Sequence, residues 1–182
     1  IERIYVHEKV YDEFVEGAVK LTKTYVVGNP LDRSTTMGPL AQARFADFIR
    51  EQKAEATRKG ANAHVNMKVD LDKPGSPYMA PEIYTGVDHQ MSLMREESFG
   101  PVVGIMKVRG DEDAIALMND SPYGLTASIW SQDIEHAAAI GDRVETGTVF
   151  MNRCDYLDPA LVWTGVKDTG KGASLSVLGI QG

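Results

Sequence analysis

Glu96-Glu97-Ser98-Phe99-Gly100-Pro101 places two carboxylates, an aromatic ring and a Gly-Pro corner directly before the apolar run Val102-Val103-Gly104-Ile105-Met106. The run reads as buried strand, so the corner is expected at the lip of a sheet. A carboxylate and a ring held there suit a ligand that carries hydroxyls and a flat heterocycle. A capped turn with a core Phe is the plainer alternative.

Three further groups could do chemistry. Cys154 is the single thiol, beside Arg153 and just past a predicted strand end, where a cation would favour the thiolate. No His has a reason to lie near it, and a small buried apolar role is the better expectation. Gly165-Val166-Lys167-Asp168-Thr169-Gly170-Lys171 matches a phosphate-binding loop until Gly172, which stands where a magnesium-binding Ser or Thr is required. Too few residues follow for that loop's helix and next strand, so a glycine-rich surface turn is expected. Asp155, Tyr156 and Asp158 with Trp163 form a polar-aromatic loop, at the end of a parallel strand where ligands are often bound. A packed loop with solvated carboxylates explains the same residues. His7, His64, His89 and His136 are scattered, without CxxC or HExxH, so no metal site is expected.

The elements that must position these groups can be read from periodicity. Ile4 to Val6 begins a strand. Over Glu8 to Lys23, Val10, Phe14, Ala18 and Leu21 fall on one helical face. Phe45, Phe48, Ile49, Gln52 and Ala56 mark a second helix, with Arg58 and Lys59 at its end and Gly60 as its stop. His64 to Val69 reads as a short strand, and Tyr78 to Tyr84 as another that Pro81 restricts to an edge or loop. Val102 to Val108 is the clearest buried strand. Asp111 caps a short helix holding Ile115, Leu117 and Met118, and Ser121-Pro122-Tyr123-Gly124 breaks it. Thr126 to Trp130 is a strand, Ser131 and Asp133 start a helix through Arg143, and Gly147 to Asn152 is a strand again. Strand–helix–strand–helix–strand demands parallel pairing with covering helices, hence an α/β fold. No repeat, low-complexity tract or long linker suggests an internal boundary.

The chain has 182 residues, 43% hydrophobic and 25% charged, as in ordinary globular domains. Its formal charge of −7 argues against nucleic acid or an anionic membrane as partner. One cysteine excludes an internal disulfide and fits a reducing, cytoplasmic setting. There is no transmembrane stretch or signal peptide, and Ile1 reads as a cut edge within a strand.

Four segments, in order and spacing, resemble the catalytic domain of the NAD(P)-dependent aldehyde dehydrogenase superfamily. Glu96 to Pro101 resembles the signature E-E-x-F-G-P, and Asn119-Asp120-Ser121-Pro122-Tyr123-Gly124-Leu125 resembles N-x-[ST]-x-Y-G-L. Gly147-Thr148-Val149-Phe150-Met151-Asn152 is similar to G-x-V-x-x-N, and Gly165 to Gly170 to G-x-K-x-S-G. The resemblance implies an open, mostly parallel sheet with helices on both faces, and residues 1–182 as the C-terminal part of a catalytic domain. The nucleophilic Cys, the Glu base and the oxyanion Asn would then lie upstream of Ile1, as would the dinucleotide-binding domain. An oligomerisation arm would also be absent.

In such enzymes a thiolate attacks the aldehyde, hydride passes to NAD or NADP, and water releases the acid from a thioester. The resemblance implies that Glu97 holds the nicotinamide-ribose hydroxyls and that Phe99 packs near the nicotinamide. Arg153 to Trp163 would line the aldehyde tunnel, with Asp155, Tyr156, Leu157 and Trp163 as contacts and Cys154 as a loop residue. A homo-oligomeric parent with a small-molecule aldehyde substrate is implied, and the chain alone is expected to be inactive. Two departures stand out: Trp163-Thr164-Gly165 replaces Phe-Gly-Gly, and Ala173-Ser174 replaces an Arg-Glu pair. A non-catalytic α/β interaction module, or a phosphate-binding domain using Gly165 to Gly172, are the competing readings.

Overall fold

Apolar residues alternate along three of the strands, and that alternation builds a sheet buried on both faces. The computed structural model describes residues 1–154, 156–170 and 172–181. These form two compact units, 1–109 and 110–182, and no shift in composition marks the junction.

In the first unit, β1 (Arg3–His7), β4 (Val102–Val108), β3 (Glu82–Thr85) and β2 (Asn62–Ala63) lie in the order β1-β4-β3-β2. β4 pairs in parallel with β1, with Arg3 opposite Gly104, and with β3, with Glu82 opposite Val102. Only β2 runs antiparallel. Ile4, Val6, Ile83, Val103 and Ile105 point to one face, where they meet Tyr11, Val15, Ala18 and Val19 of α1 (Tyr11–Thr22). Tyr5, Tyr84, Val102 and Met106 point to the other, against Ala46, Ile49 and Ala56 of α2 (Ala43–Arg58) and the short 3-10 turn Ser92–Met94. Helices thus cover both faces of a mostly parallel sheet, but the single sheet expected over Val102 to Asn152 is not formed: β4 lies in this sheet with β1 and β3, while Thr126–Ile129 and Thr148–Met151 form a separate two-stranded one.

Several local expectations are corrected. α1 buries the stripe Tyr11-Val15-Ala18-Val19, while Val10, Phe14 and Leu21 are exposed. Both stripes satisfy the 3.6-residue period, and only packing on the sheet chooses between them. Phe45 and Phe48 of α2 are likewise exposed, whereas Gln52 is buried.

The expected strand His64 to Val69 is not formed. The N–H groups of His64, Val65 and Asn66 donate instead to the carboxylate of Glu82, at 3.0, 2.6 and 3.0 Å. Glu82 is buried, and Ile83 N–H adds a fourth bond at 3.1 Å. A charge inside the protein is tolerated because its lone pairs are fully used. The strand expected from Tyr78 begins only at Glu82, after Pro81.

In the second unit, α3 (Asp111–Asn119) starts at Gly110, so Asp111 sits in the first turn with Glu112 and Asp113 and is not the cap. Three acids there favour the positive helix end. Of its expected interior residues only Ile115 is buried. β6 (Thr126–Ile129) and β7 (Thr148–Met151) pair in parallel through α4 (Ile134–Gly141), whose N-cap Asp133 accepts His136 N–H at 2.9 Å. Two antiparallel pairs complete the unit: β5 (Tyr123–Gly124) with β9 (Val166–Lys167), and β8 (Trp163–Thr164) with β10 (Ala173–Ser174). A short helix, α5 (Ser176–Gln181), follows.

Candidate functional site

In the first unit, the corner before β4 presents Glu97 and Phe99 outward. Glu97 is exposed, and Phe99 is 81% exposed. Phe99 has φ = 50°, a left-handed conformation uncommon for a residue with a side chain. Ser98 between them turns inward and is buried. On the far side, Gly100 seats against α2, where an added Cβ would lie 2.3 Å from Ile49 Cδ1. Glu97 and Phe99 are thus both exposed at one corner, with a buried residue between them. Sequence spacing alone pointed to that pairing. It did not point to Glu2, whose carboxylate accepts the N–H groups of Ser98 at 2.9 Å and Phe99 at 3.2 Å.

The second unit carries the expected substrate loop. Tyr156 and Trp163 line a cleft of about 260 Å³ together with Phe150, Arg153, Asp158 and Leu161. Leu157 is exposed and is not part of that lining. Asp155 lies outside the described residues. The guanidinium of Arg153 stacks over the Tyr156 ring, 4.2 Å from its centroid, and Cys154 is exposed. The sequence reading of Cys154 as a buried residue is therefore corrected: chain direction past β7 turns it to the surface. Arg153, Asp158 and Leu161 fall within the loop Arg153 to Trp163 that was expected to line a tunnel, whereas Phe150, on β7 itself, was not expected there.

The remaining motif residues act as structural fasteners. Asn152, itself at φ = 53°, accepts Ser131 N–H and donates to Ser131 O, both at 2.9 Å. The Lys167 ammonium donates to Asn119 O at 2.7 Å and Ser121 O at 3.1 Å, and pairs with Glu145 at 2.6 Å. Asn119 closes the same network by accepting Glu145 N–H at 2.8 Å. Gly147 is required by close approach, since a Cβ would fall 1.7 Å from Thr164 O.

In the segment read as a phosphate-binding loop, Gly165 to Gly172, residues 166–167 form β9 and a turn follows, with Lys167 held by carbonyls and a carboxylate; the lysine that the motif itself would use is Lys171. Lys171 is outside the described residues. Among the described residues no group of His, Cys, Asp and Glu could hold a metal ion. A larger groove in the first unit, about 670 Å³ beside Tyr11, Val15, Val19 and His64, contains none of the expected site residues.

Comparison with known proteins gives these positions a family. The family model described as Aldehyde dehydrogenase family matches residues 1–181. An aldehyde dehydrogenase of Paenarthrobacter nicotinovorans is 39% identical over 180 residues, covering 99% of this chain and 39% of that protein. Among solved structures, succinic semialdehyde dehydrogenase from Streptococcus pyogenes, in complex with NADP+, is 38% identical with a TM-score of 0.89. That match covers 97% of this chain and 38% of the other. Betaine aldehyde dehydrogenase from Staphylococcus aureus, in complex with NAD+, is 29% identical with a TM-score of 0.90, over 99% of this chain and 36% of its own. The chain spans about two fifths of the length of the curated relatives it matches.

Proposed function

Since this chain belongs to the aldehyde dehydrogenase family, we propose that it works within an enzyme that oxidises an aldehyde to the carboxylic acid, with NAD or NADP as hydride acceptor. The observation that carries this reading is that Glu97 and Phe99 are both exposed on one corner, whose backbone Glu2 holds. The donor set fits the nicotinamide-riboside end of a dinucleotide. A carboxylate has lone pairs enough to accept from two adjacent hydroxyls, and the uncovered ring offers an apolar face to a flat heterocycle.

In this proposal Glu97 orients the ribose and Phe99 limits where the nicotinamide can lie. Orientation of that kind acts on rate by holding the reacting atoms near their attack geometry. When bound, the dinucleotide supplies the acceptor for the hydride. Of the residues expected at the aldehyde path, Tyr156 and Trp163, which share one cleft, line it, and Trp163 narrows its mouth. Cys154 is assigned no nucleophilic role.

Family membership is also the basis for placing a homo-oligomer in the cytoplasm within the same proposal. Among the described residues no helix is long and apolar enough to cross a membrane.

The test is Glu97→Gln in the full-length enzyme. One acceptor oxygen is replaced by a donor NH2, so the catalytic efficiency toward dinucleotide is expected to fall about tenfold or more, with aldehyde binding little altered. Unchanged steady-state and single-turnover kinetics would remove Glu97 from the mechanism.

A further inference from the structure

The corner that carries Glu97 and Phe99 is held from a part of the chain 96 and 97 residues away. Glu2 directly precedes β1, and the parallel register of β1 on β4, Arg3 opposite Gly104, brings it alongside the entry to β4. Its carboxylate meets two successive backbone donors: Oε2 takes Ser98 N–H at 2.9 Å and Oε1 takes Phe99 N–H at 3.2 Å. Successive N–H groups converging on one point form a concavity that favours an anion, and each bond is charge-assisted.

The clamp acts where the backbone most needs one. Phe99 is left-handed at φ = 50°, a state that persists in a non-glycine residue only when its surroundings over-determine it. The Ser98 hydroxyl does not serve that purpose, because it is buried and has no hydrogen-bond partner. Gly100, seated on Ile49, fixes only the following residue. Glu2 therefore supplies the polar contact that sets the direction of the residues on either side of Ser98.

We propose that Glu2 is a positioning residue for the cofactor site: its carboxylate locks the Ser98–Phe99 turn so that Glu97 and Phe99 face the nicotinamide end of the dinucleotide in one orientation. The inference rests on the cofactor reading of this corner.

Glu2→Gln, Glu2→Asp and Glu97→Gln, each in the full-length enzyme, test it. Glu2→Gln keeps the volume, loses the charge and turns an NH2 toward a backbone donor. Its catalytic efficiency toward dinucleotide is expected to fall roughly 10- to 100-fold, while the aldehyde KM stays within about twofold. Glu2→Asp, which keeps the anion on a shorter stem, is expected to recover part of that loss. Hydrogen exchange in the peptide covering residues 96–101 should quicken in Glu2→Gln, with the amides of Val102–Val108 still protected.

Unchanged exchange at 96–101 overturns the clamp. Faster exchange with unaltered dinucleotide kinetics overturns its role in positioning. Loss of protection spreading through Val102–Val108 in both Glu2 variants marks an ordinary structural residue. If Glu97→Gln is silent in the same assays, the cofactor reading of the corner fails and takes the proposal with it, an outcome separable from the exchange result.

Discussion

The two units solve the problem of holding a loop in place by different means. Residues 1–109 bury a continuous set of apolar side chains on both faces of a sheet, with Ile49, Leu93, Met94 and Ile105 fully inaccessible. In residues 110–182, Ile115, Ala137 and Phe150 are the buried apolar side chains among those described. That unit relies on backbone pairing, the Lys167 network and surface ion pairs such as Arg143 with Glu112. The corner bearing Glu97 and Phe99 thus stands on a deep core, while the loop bearing Tyr156 and Trp163 stands on a thin one. Local stability tracks such differences in buried contacts, and the thin unit is expected to open first.

The largest effect expected from breaking this contrast is in the deep core. Ile105→Ala should destabilise the first unit by about 3–5 kcal/mol, and Ile115→Ala the second by only about 2 kcal/mol, because its surroundings can collapse into the gap. Chemical denaturation followed by limited proteolysis checks both. Cleavage starting within residues 1–109 of the unaltered protein would reverse the contrast.

Next is Glu82→Gln, which leaves four converging N–H groups with one carbonyl oxygen and is expected to cost about 1–3 kcal/mol. Exchange at His64, Val65 and Asn66 should quicken along with the drop in melting temperature.

Smaller still, and dependent on pH, is the contribution of Glu55. Lys59, and then the Ser92 hydroxyl, lower its pKa from 4.5 to about 2. A carboxylate depressed on folding stabilises the protein above its unfolded pKa, and that contribution is lost as pH falls through the folded value. The stability difference between the unaltered protein and Glu55→Gln should therefore be constant above about pH 5 and shrink toward pH 2. A difference independent of pH over that range would remove Glu55 from the acid response.

The least effect is expected for Glu112→Gln in the second unit. Arg143 holds Glu112 through two bonds of 2.6 Å and lowers its pKa, yet both side chains are more than half exposed. Solvent screening leaves such pairs with little influence on stability. A melting temperature that falls clearly without added salt, with the deficit closing as salt is raised, would show the thin unit leaning on this pair more than its exposure suggests.

How much of this could be read from residues alone differs by feature. Val102 to Val108 was legible because the apolar run Val102-Val103-Gly104-Ile105-Met106 after a Gly-Pro corner admits few alternatives. The cap at Asp133 was legible because capping is local. The buried face of α1 was not, since Val10-Phe14-Ala18-Leu21 and Tyr11-Val15-Ala18-Val19 fit the same period and only the sheet distinguishes them. Glu82 escaped notice for a related reason: an acid beside a proline carries no local sign that three distant amides await it. At the candidate site, Glu97 and Phe99 were marked by their own hexapeptide, whereas Glu2 is tied to them only through strand pairing. The cleft at β7 was half legible: the loop Arg153 to Trp163 was expected as a wall, but Leu157 is not in the lining and Phe150, on the strand itself, was missed.

The backbone at Phe99 has a consequence for anyone wishing to reshape this corner. A position with positive φ penalises branching at Cβ most severely, so Val, Ile or Thr there would strain the main chain as well as forfeit the ring. Glycine would relax the turn but remove the ring on which the proposed nicotinamide contact rests. Libraries aimed at this corner therefore gain little from saturating residue 99, and are better spent on its unstrained neighbours.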